Sequence, residues 1–321
     1  MAYLTSDDFR ETYSKLQQRG LKFLLSKINV SGERRTLSAF NENNIEGSNW
    51  WMIPAVQERW NKIITGSITK IYESYISEKY LLPKGKGRLL SVGCGSCSHE
   101  LEIAKLCSNW EITCIDIASN LLEEAKISAK NEELFNIKFI RKNVLKEELT
   151  PDSFDVILFH SSLHHFQKVE SFLKNKIYPQ LKQNGLLIIH EYIGPNRLQF
   201  PKKQINVINK ALQTIPPEFR KRFIINHQKN KITGPGLWRM IIADPSECVD
   251  SAAIKKAVHN MFITEEEAEL GGNILMLLLK DIAHHFVNEK ANMVLEHLFT
   301  IEDEYLKENS SDFIFGVYRK K

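Results

Sequence analysis

The chain has 321 residues, and 43% of them are hydrophobic, which is enough to bury a substantial core in one elaborated domain or in two. Its 43 basic and 39 acidic side chains leave a formal net charge of only +4, which argues against a nucleic-acid partner. The N-terminus lacks the features of a secretory signal, and the most apolar run, residues 274–279, is far shorter than the roughly 20 residues that cross a bilayer. We therefore expect a cytoplasmic protein without a membrane span.

The predicted elements follow the order of a parallel α/β protein. Residues 4–80 mix apolar and polar side chains at helical spacing, which predicts an N-terminal helical layer. From residue 88, short apolar runs alternate with helical stretches, as in repeated βα units. Five strands are predicted at residues 88–92, 111–115, 137–141, 154–159 and 186–189. Helices are predicted between them at residues 99–106, 120–130 and 169–181. Asn120 and Glu123 are expected to cap the second of these helices.

The regular βα order ends near residue 194, where prolines and glycines punctuate a helical stretch. Ser246 is expected to cap a helix that reaches about Asn260, and a weak strand candidate follows at residues 261–264. Two helices, at residues 274–287 and 292–307, then precede a last strand at residues 313–318.

These elements predict an α/β fold with a Rossmann-like, doubly wound and mostly parallel sheet, an N-terminal helical layer and helical insertions that form a lid. The expected divisions are a helical cap over residues 1–82, a cofactor-binding core over 83–194, a helical insertion over 195–245, and a segment over 246–321 that completes the core with further lid helices and the last strand.

A glycine loop ends the first predicted strand. Gly93 and Gly95 let the main chain turn tightly and approach a ligand closely. Asp116, at the end of the second strand, can accept hydrogen bonds from both hydroxyl groups of a ribose. Together they indicate a cofactor that contains a nucleoside. The dinucleotide fingerprint needs a third glycine, and this chain has Ser98 at that position.

Residues 90–96 instead resemble the first motif of the class I S-adenosylmethionine-dependent methyltransferases, and residues 154–157 resemble that family's fourth-strand signature. The resemblance implies S-adenosylmethionine as the cofactor. Cys97 replaces a frequent glycine, and Ser91 stands where an acidic residue is common, so the contacts to the methionine amino group are expected to be rearranged. The implied cofactor-binding residues are Val92, Gly93, Cys94, Gly95, Ser96, Asp116, Ile117, Asn143, Val144 and His160.

Methyl transfer needs an aligned nucleophile, and it needs a base only when the nucleophile carries a proton, as a hydroxyl group does. His164 and His165 lie in a segment that resembles the motif after strand four of small-molecule methyltransferases, and Glu191 ends the fifth strand. These three residues are the candidate general bases. For the two histidines, the alternative role is packing or contact with the cofactor. For Glu191, it is helix capping or a salt bridge.

The leading hypothesis is O-methylation of a small-molecule acceptor, either a natural product or a sugar, because a lid of helices suits an acceptor held away from water. N-methylation of a small amine and a non-catalytic S-adenosylmethionine sensor or scaffold stay open as alternatives, and so does a homodimer.

Five cysteines without a signal sequence indicate reduced thiols. Cys94 and Cys97 form a C-x-x-C pair, but no second pair follows, and Cys107 and Cys114 are assigned to a helix and a strand. Tetrahedral zinc usually needs four convergent ligands, so we expect no metal site. We expect none either at a second candidate set of ligands, which comprises His160, His164, His190 and Glu191.

Overall fold

A computed structural model describes residues 2–20, 47–225 and 227–321. Part of the predicted N-terminal helical layer, residues 21–46, lies outside the described residues. The chain divides into two compact units. The helical unit consists of Met1–Trp60, Gly194–Glu247 and Glu269–Phe313. The sheet unit consists of Asn61–Ile193, Cys248–Ala268 and Ile314–Lys321.

The described strands form a single seven-stranded sheet. They are β1 (Gly87–Val92), β2 (Trp110–Asp116), β3 (Ile137–Arg141), β4 (Phe154–His160), β5 (Leu181–Tyr192), β6 (Phe262–Gly271) and β7 (Phe313–Lys320). Their order is β3-β2-β1-β4-β5-β7-β6, and the pairs among β1 to β5 are parallel. The order reverses between β1 and β4, where open α/β sheets bind their ligands. The predicted doubly wound α/β sheet is confirmed.

The described α-helices are α1 (Ser6–Arg19), α2 (Pro54–Thr65), α3 (Tyr72–Ile76), α4 (Ser98–Leu106), α5 (Ser119–Asn131), α6 (Val169–Phe172), α7 (Lys202–Thr214), α8 (Leu237–Ala243), α9 (Ile254–Met261), α10 (Leu275–Leu279) and α11 (Asn292–Leu306). None of the helices in the described ranges is long and apolar enough to cross a membrane.

The core of the sheet unit explains why the strands could be predicted. Val156, Ile157 and Leu158 of β4 are all fully buried, as are Leu187 and Ile188 of β5. Strands buried on both faces appear in a sequence as continuous apolar runs rather than as an alternation. The apolar runs of β4 and β5 therefore lie at the centre of the sheet.

The predicted cap of α5 is wrong. The helix begins at Ser119, and Ala118, not Asn120, is its N-cap residue. The Ala118 N–H donates to Asp116 Oδ1 at 2.7 Å, so the carboxylate at the end of β2 satisfies a main-chain donor beside the helix start.

The start that was predicted for the next helix, at Ser246, is also wrong. Both the N–H and the hydroxyl of Ser246 donate to Asp244 Oδ1, which holds this segment in a turn, and α9 starts only at Ile254. The helix predicted over residues 274–287 is likewise broken after Leu279, where Asp281 adopts a φ of 68°. Lys229 Nζ donates to the carbonyls of Leu277, Leu278 and Lys280, and so caps the short helix that remains.

Aromatic packing organises the helical unit. The Trp60 ring lies 5.2 Å from the Trp50 ring and 5.1 Å from the Phe313 ring, measured between centroids. Trp50 is buried, whereas Trp51 is 36% exposed. Trp50 is thus a core residue of this unit.

Candidate functional site

The glycine loop follows β1 at the point where the strand order reverses. Gly93 and Gly95 have φ values of 71° and 55°, a left-handed conformation that favours glycine. A Cβ atom at Gly93 would lie 2.8 Å from Ser162 Cβ, so the loop also approaches the segment after β4 too closely for a side chain. Cys97 adopts a φ of 57° without being glycine and stands at the N-cap of α4.

Asp116 ties the end of β2 to the glycine loop. Its Oδ2 accepts from the Gly95 N–H at 2.8 Å, and its Oδ1 accepts from the Ala118 N–H. A carboxylate has about four lone-pair sites, so acceptor capacity remains on both oxygens. Asp116 thus stands beside the loop with the chemistry that a ribose diol requires.

The remaining predicted cofactor residues are distributed around this edge. Ile117 is half-buried after β2, and Ser96 is exposed in the loop. Asn143 lies shortly after β3, and its Oδ1 accepts from the Leu145 N–H at 3.0 Å, which fixes the turn that also contains the buried Val144. The carbonyl of Val92 accepts a hydrogen bond from the Ser162 hydroxyl at 2.7 Å.

A buried carboxylate lies beside Ser91, where the methyltransferases that residues 90–96 resemble commonly have an acid. The Ser91 hydroxyl donates to Glu100 Oε1 at 2.6 Å, and Glu100, in the first turn of α4, is only 1% exposed. Its Oε2 has no hydrogen-bond partner among the described residues. Burial is the largest cause that raises the pKa of Glu100, to about 7, with the Cys97 side chain adding to it.

Glu191 organises the segment that follows β4. This fully buried residue of β5 accepts hydrogen bonds at Oε1 from the N–H groups of Ser162 and Leu163. Its Oε2 lies 2.7 Å from His164 Nδ1. The imidazole of His165 is half-buried, with its ring centroid 4.3 Å from that of His164. The structure therefore brings the three predicted base candidates together, but it gives them different surroundings.

Three imidazoles stack in the sheet unit. His160 of β4 is the register partner of His190 on β5, and their ring centroids lie 4.6 Å apart. The ring of His99, on α4, lies 3.6 Å from that of His160, measured between centroids. The Tyr72 hydroxyl is 2.8 Å from His160 Nδ1. Burial lowers the pKa of His160 well below its usual range, and the positive charge of His99 lowers it further.

At the end of this stack, His99 Nδ1 contacts the buried carboxylate of Glu73. Burial opposes charge on His99, but the hydrogen bond and the charge of Glu73 outweigh it, so the pKa of His99 is raised. Burial also lowers the pKa of His190, to about 3, so the stack combines two imidazoles whose pKa is lowered with one whose pKa is raised.

Three thiols also converge beneath the loop. The Sγ atoms of Cys94, Cys97 and Cys114 all lie within 4.8 Å of one another. The predicted separation of Cys114 from the C-x-x-C pair is wrong. Strand β2 pairs with β1 so that Cys114 is the register partner of Ser91, just before the loop. Hydrogen bonds from Cys114 and Cys94 lower the pKa of Cys97.

Sequence reasoning missed Tyr72, Glu73, His99 and Glu100. Tyr72 and Glu73 belong to a helix that precedes the first strand, and nothing in their local pattern links them to residues after β4. One signal was available for Glu100, since an acid that follows the atypical Ser91 by nine positions falls on the helix that begins directly after the loop.

A separate cavity lies within the helical unit. Its charged lining residues are largely paired: Arg222 Nη1 contacts Asp281, Lys280 Nζ lies 2.6 Å from Glu11, and Arg239 Nε lies 2.8 Å from Asp8. These contacts give the cavity a structural ion-pair network.

Several solved structures are similar to the chain. The [4+2]-cyclase SpnF is 14% identical with a TM-score of 0.48, and the match covers 100% of this chain and 97% of SpnF. An S-adenosylmethionine-dependent methyltransferase from Mesorhizobium loti is 14% identical with a TM-score of 0.43 over 73% of this chain and 91% of that protein. Phosphoethanolamine N-methyltransferase 2 from Haemonchus contortus is 14% identical with a TM-score of 0.46 over 93% of this chain and 59% of that protein.

No curated protein sequence matches the chain. A family model for the methyltransferase domain matches residues 83–266, which is more than half of the chain. The chain therefore belongs to this family, the class I S-adenosylmethionine-dependent methyltransferases. It follows that the protein is a methyltransferase and that S-adenosylmethionine is its methyl donor.

The two loop glycines make a matched pair for a stability test. Gly95→Ala should lower the free energy of unfolding by about 1–2 kcal/mol, because the φ there is left-handed. No steric cost is added, since the nearest atom to the new Cβ is 4.0 Å away. Gly93→Ala should lower the free energy of unfolding by about 1–3 kcal/mol more, because the new Cβ overlaps the Ser162 side chain. Urea unfolding of both variants measures the difference, and equal losses would contradict the close approach of the two segments.

Proposed function

We propose that the protein methylates a hydroxyl oxygen of a small-molecule acceptor, with His164 as the general base and Glu191 as the residue that positions it. The observation that carries this proposal is the 2.7 Å contact between His164 Nδ1 and Glu191 Oε2. A base held by a third group is the arrangement that nucleophile activation requires.

The two residues have distinct roles in this proposal. The carboxylate of Glu191 can only accept, so Nδ1 of His164 carries the hydrogen and Nε2 keeps the lone pair. Nε2 is then the atom that takes the proton of an acceptor hydroxyl group. Both oxygens of Glu191 are engaged by the segment after β4, which favours a positioning role over the base role that the sequence had left open for it.

The chain's residues fit the cofactor. We propose that the main chain of the glycine loop and the carboxylate of Asp116 hold its nucleoside part. Glu100 Oε2 is a buried acceptor without a partner among the described residues, and such an atom calls for a donor, ideally a cationic one. Glu100 would therefore hold the ammonium group of the cofactor's methionine part. Glu100 thereby takes the place of the acid that is missing at Ser91. When bound, S-adenosylmethionine supplies a methyl group activated on a sulfonium.

The acceptor class is inferred from the basic residues of the segment after β5. Arg222 contacts Asp281, Lys203 lies 3.4 Å from Glu308, and Arg197 donates to main-chain carbonyls. Nucleic-acid binding relies on basic side chains directed at phosphates. Arg197 and Arg222 are engaged within the protein, and this favours a small acceptor instead.

Substitutions at His164 and Glu191 test the base assignment. We expect His164→Gln to lower kcat by about 10²–10⁴-fold and to remove the acid limb of the pH profile, because that limb reports protonation of the base. Glu191→Gln should give a similar loss, because the amide oxygen can accept the two N–H groups while its NH₂ donates to Nδ1 and moves the imidazole hydrogen to Nε2. Steady-state kinetics on a panel of hydroxyl-bearing acceptors provides the measurement.

The surface residue His297 supplies the matched control, and His297→Ala should keep the wild-type rate and pH profile. Cofactor affinity, measured by calorimetry, should stay within about threefold of wild type in both test variants, since neither residue contacts the cofactor in this account. Full turnover by His164→Gln, or a loss confined to His165→Ala, would show that His164 is not the base.

Exchanging the acid between two positions tests the role of Glu100. Glu100→Ser should weaken S-adenosylmethionine binding at least tenfold, because the ammonium group loses a buried charged acceptor. The double variant Ser91→Asp/Glu100→Ser should recover most of that affinity by returning the carboxylate to the strand. Glu102→Gln, an acid change on the exposed side of the same helix, is the control and should bind as wild type does.

The pH dependence of binding gives a second readout. The pKa of Glu100 is raised to about 7, so at low pH a proton must leave before the ammonium group is bound. Affinity should therefore rise by about tenfold between pH 5.5 and pH 6.5, with proton release on binding, and Glu100→Gln should abolish that slope. Unchanged affinity in Glu100→Ser, or failure of the exchange to restore it, would refute this contact.

A further inference from the structure

The three thiols beneath the glycine loop are arranged as a donor set. Cys94 and Cys97 come from the loop, whose turn is closed by the Cys97 N–H donating to the Cys94 carbonyl at 2.9 Å. Cys114 comes from the adjacent strand β2, and all three Sγ atoms lie within 4.8 Å of one another. Cys97 and Cys114 are fully buried, while Cys94 is half-buried and provides the route of entry.

The chemistry of this set is that of a soft metal ligand. All three donors are sulfur, and thiolates select Zn²⁺, Cu⁺ and ions of similar softness rather than Mg²⁺ or Ca²⁺. A zinc–sulfur bond of about 2.3 Å places the sulfurs of a tetrahedral site about 3.8 Å apart. The sulfurs therefore need to approach by about 1 Å at most, and a fourth position is left for a water molecule or a small thiol.

We propose that Cys94, Cys97 and Cys114 bind one thiophilic metal ion per chain. Each thiol that coordinates releases its proton to solvent, so binding strengthens as pH rises. A disulfide would use only two of the sulfurs and leave the third beside it, whereas a metal ion uses all three. This proposal departs from the expectation that the C-x-x-C pair lacks further metal ligands, because Cys114 supplies one.

Occupancy of this site should oppose cofactor binding. Cys94 lies between the two loop glycines, and the Gly95 N–H donates to Asp116, two residues after Cys114. Coordination draws the Cys94 side chain toward the buried thiols, and the peptide units on either side of it move with it. This consequence rests on the proposed role of the loop in holding the cofactor, whereas the metal site itself does not.

Titration of the reduced, full-length protein with Cd²⁺ in oxygen-free buffer tests the proposal. The sulfur-to-cadmium charge-transfer absorption should saturate at one ion per chain. Cys94→Ala, Cys97→Gly and Cys114→Ala should each weaken Cd²⁺ binding by at least 100-fold; glycine is chosen at position 97 because it suits the left-handed φ there. The matched controls Cys107→Ala and Cys248→Ala should bind as wild type does, and thermal unfolding verifies that every variant is folded.

Less than one ion per chain, or equal losses in the two control variants, would overturn the metal site. The metal site would also be overturned if the protein bound no Cd²⁺ and instead formed a Cys94–Cys97 disulfide on mild oxidation. Mass spectrometry detects that disulfide. The coupling is tested separately with S-adenosylhomocysteine, which should weaken Cd²⁺ binding at least tenfold. Equal Cd²⁺ affinity with and without that compound would overturn the coupling and leave the site standing.

Discussion

The carboxylate of Glu191 is the constraint on which the candidate site depends. It is fully buried at the end of β5, where an ionised group is tolerated only when it is well paired. Two main-chain N–H groups, from Ser162 and Leu163, and the imidazole of His164 provide that pairing. Without the carboxylate, each of the two buried amides would be left unpaired at a cost of about 1–3 kcal/mol. One side chain therefore holds the segment after β4 in place.

That segment in turn shapes the glycine loop. The Ser162 hydroxyl donates to the Val92 carbonyl, and the Ser162 side chain lies so close to Gly93 that no Cβ fits there. The glycine loop and the proposed base are thus built on one network that crosses β1, β4 and β5. Two properties of the site, a tight main-chain approach and an oriented imidazole, have a shared origin in this network.

The sequence predicted what depends on local pattern, and less of what depends on tertiary contacts. The strands and the glycine loop followed from apolar runs and from φ requirements that a single residue type satisfies. The start of α5 could not be predicted, because it depends on the hydrogen bond that the Ala118 N–H donates to Asp116, and the spacing of Asn120 and Glu123 does not show this contact. The Cys114 and Glu100 contacts depend on strand pairing and on helix placement, which spacing alone does not give. The positioning role that we propose for Glu191 could be inferred only from the partners of both its oxygens.

The most direct test of this account is the hydrogen position on the His164 ring, measured by ¹⁵N nuclear magnetic resonance of histidine-labelled protein and assigned with His164→Gln. In the wild-type protein, at a pH where the His164 imidazole is neutral, the account predicts that its hydrogen lies on Nδ1, facing Glu191. In Glu191→Gln it predicts the hydrogen on Nε2. The same tautomer in both proteins would contradict the claim that Glu191 prepares His164 to act as the base.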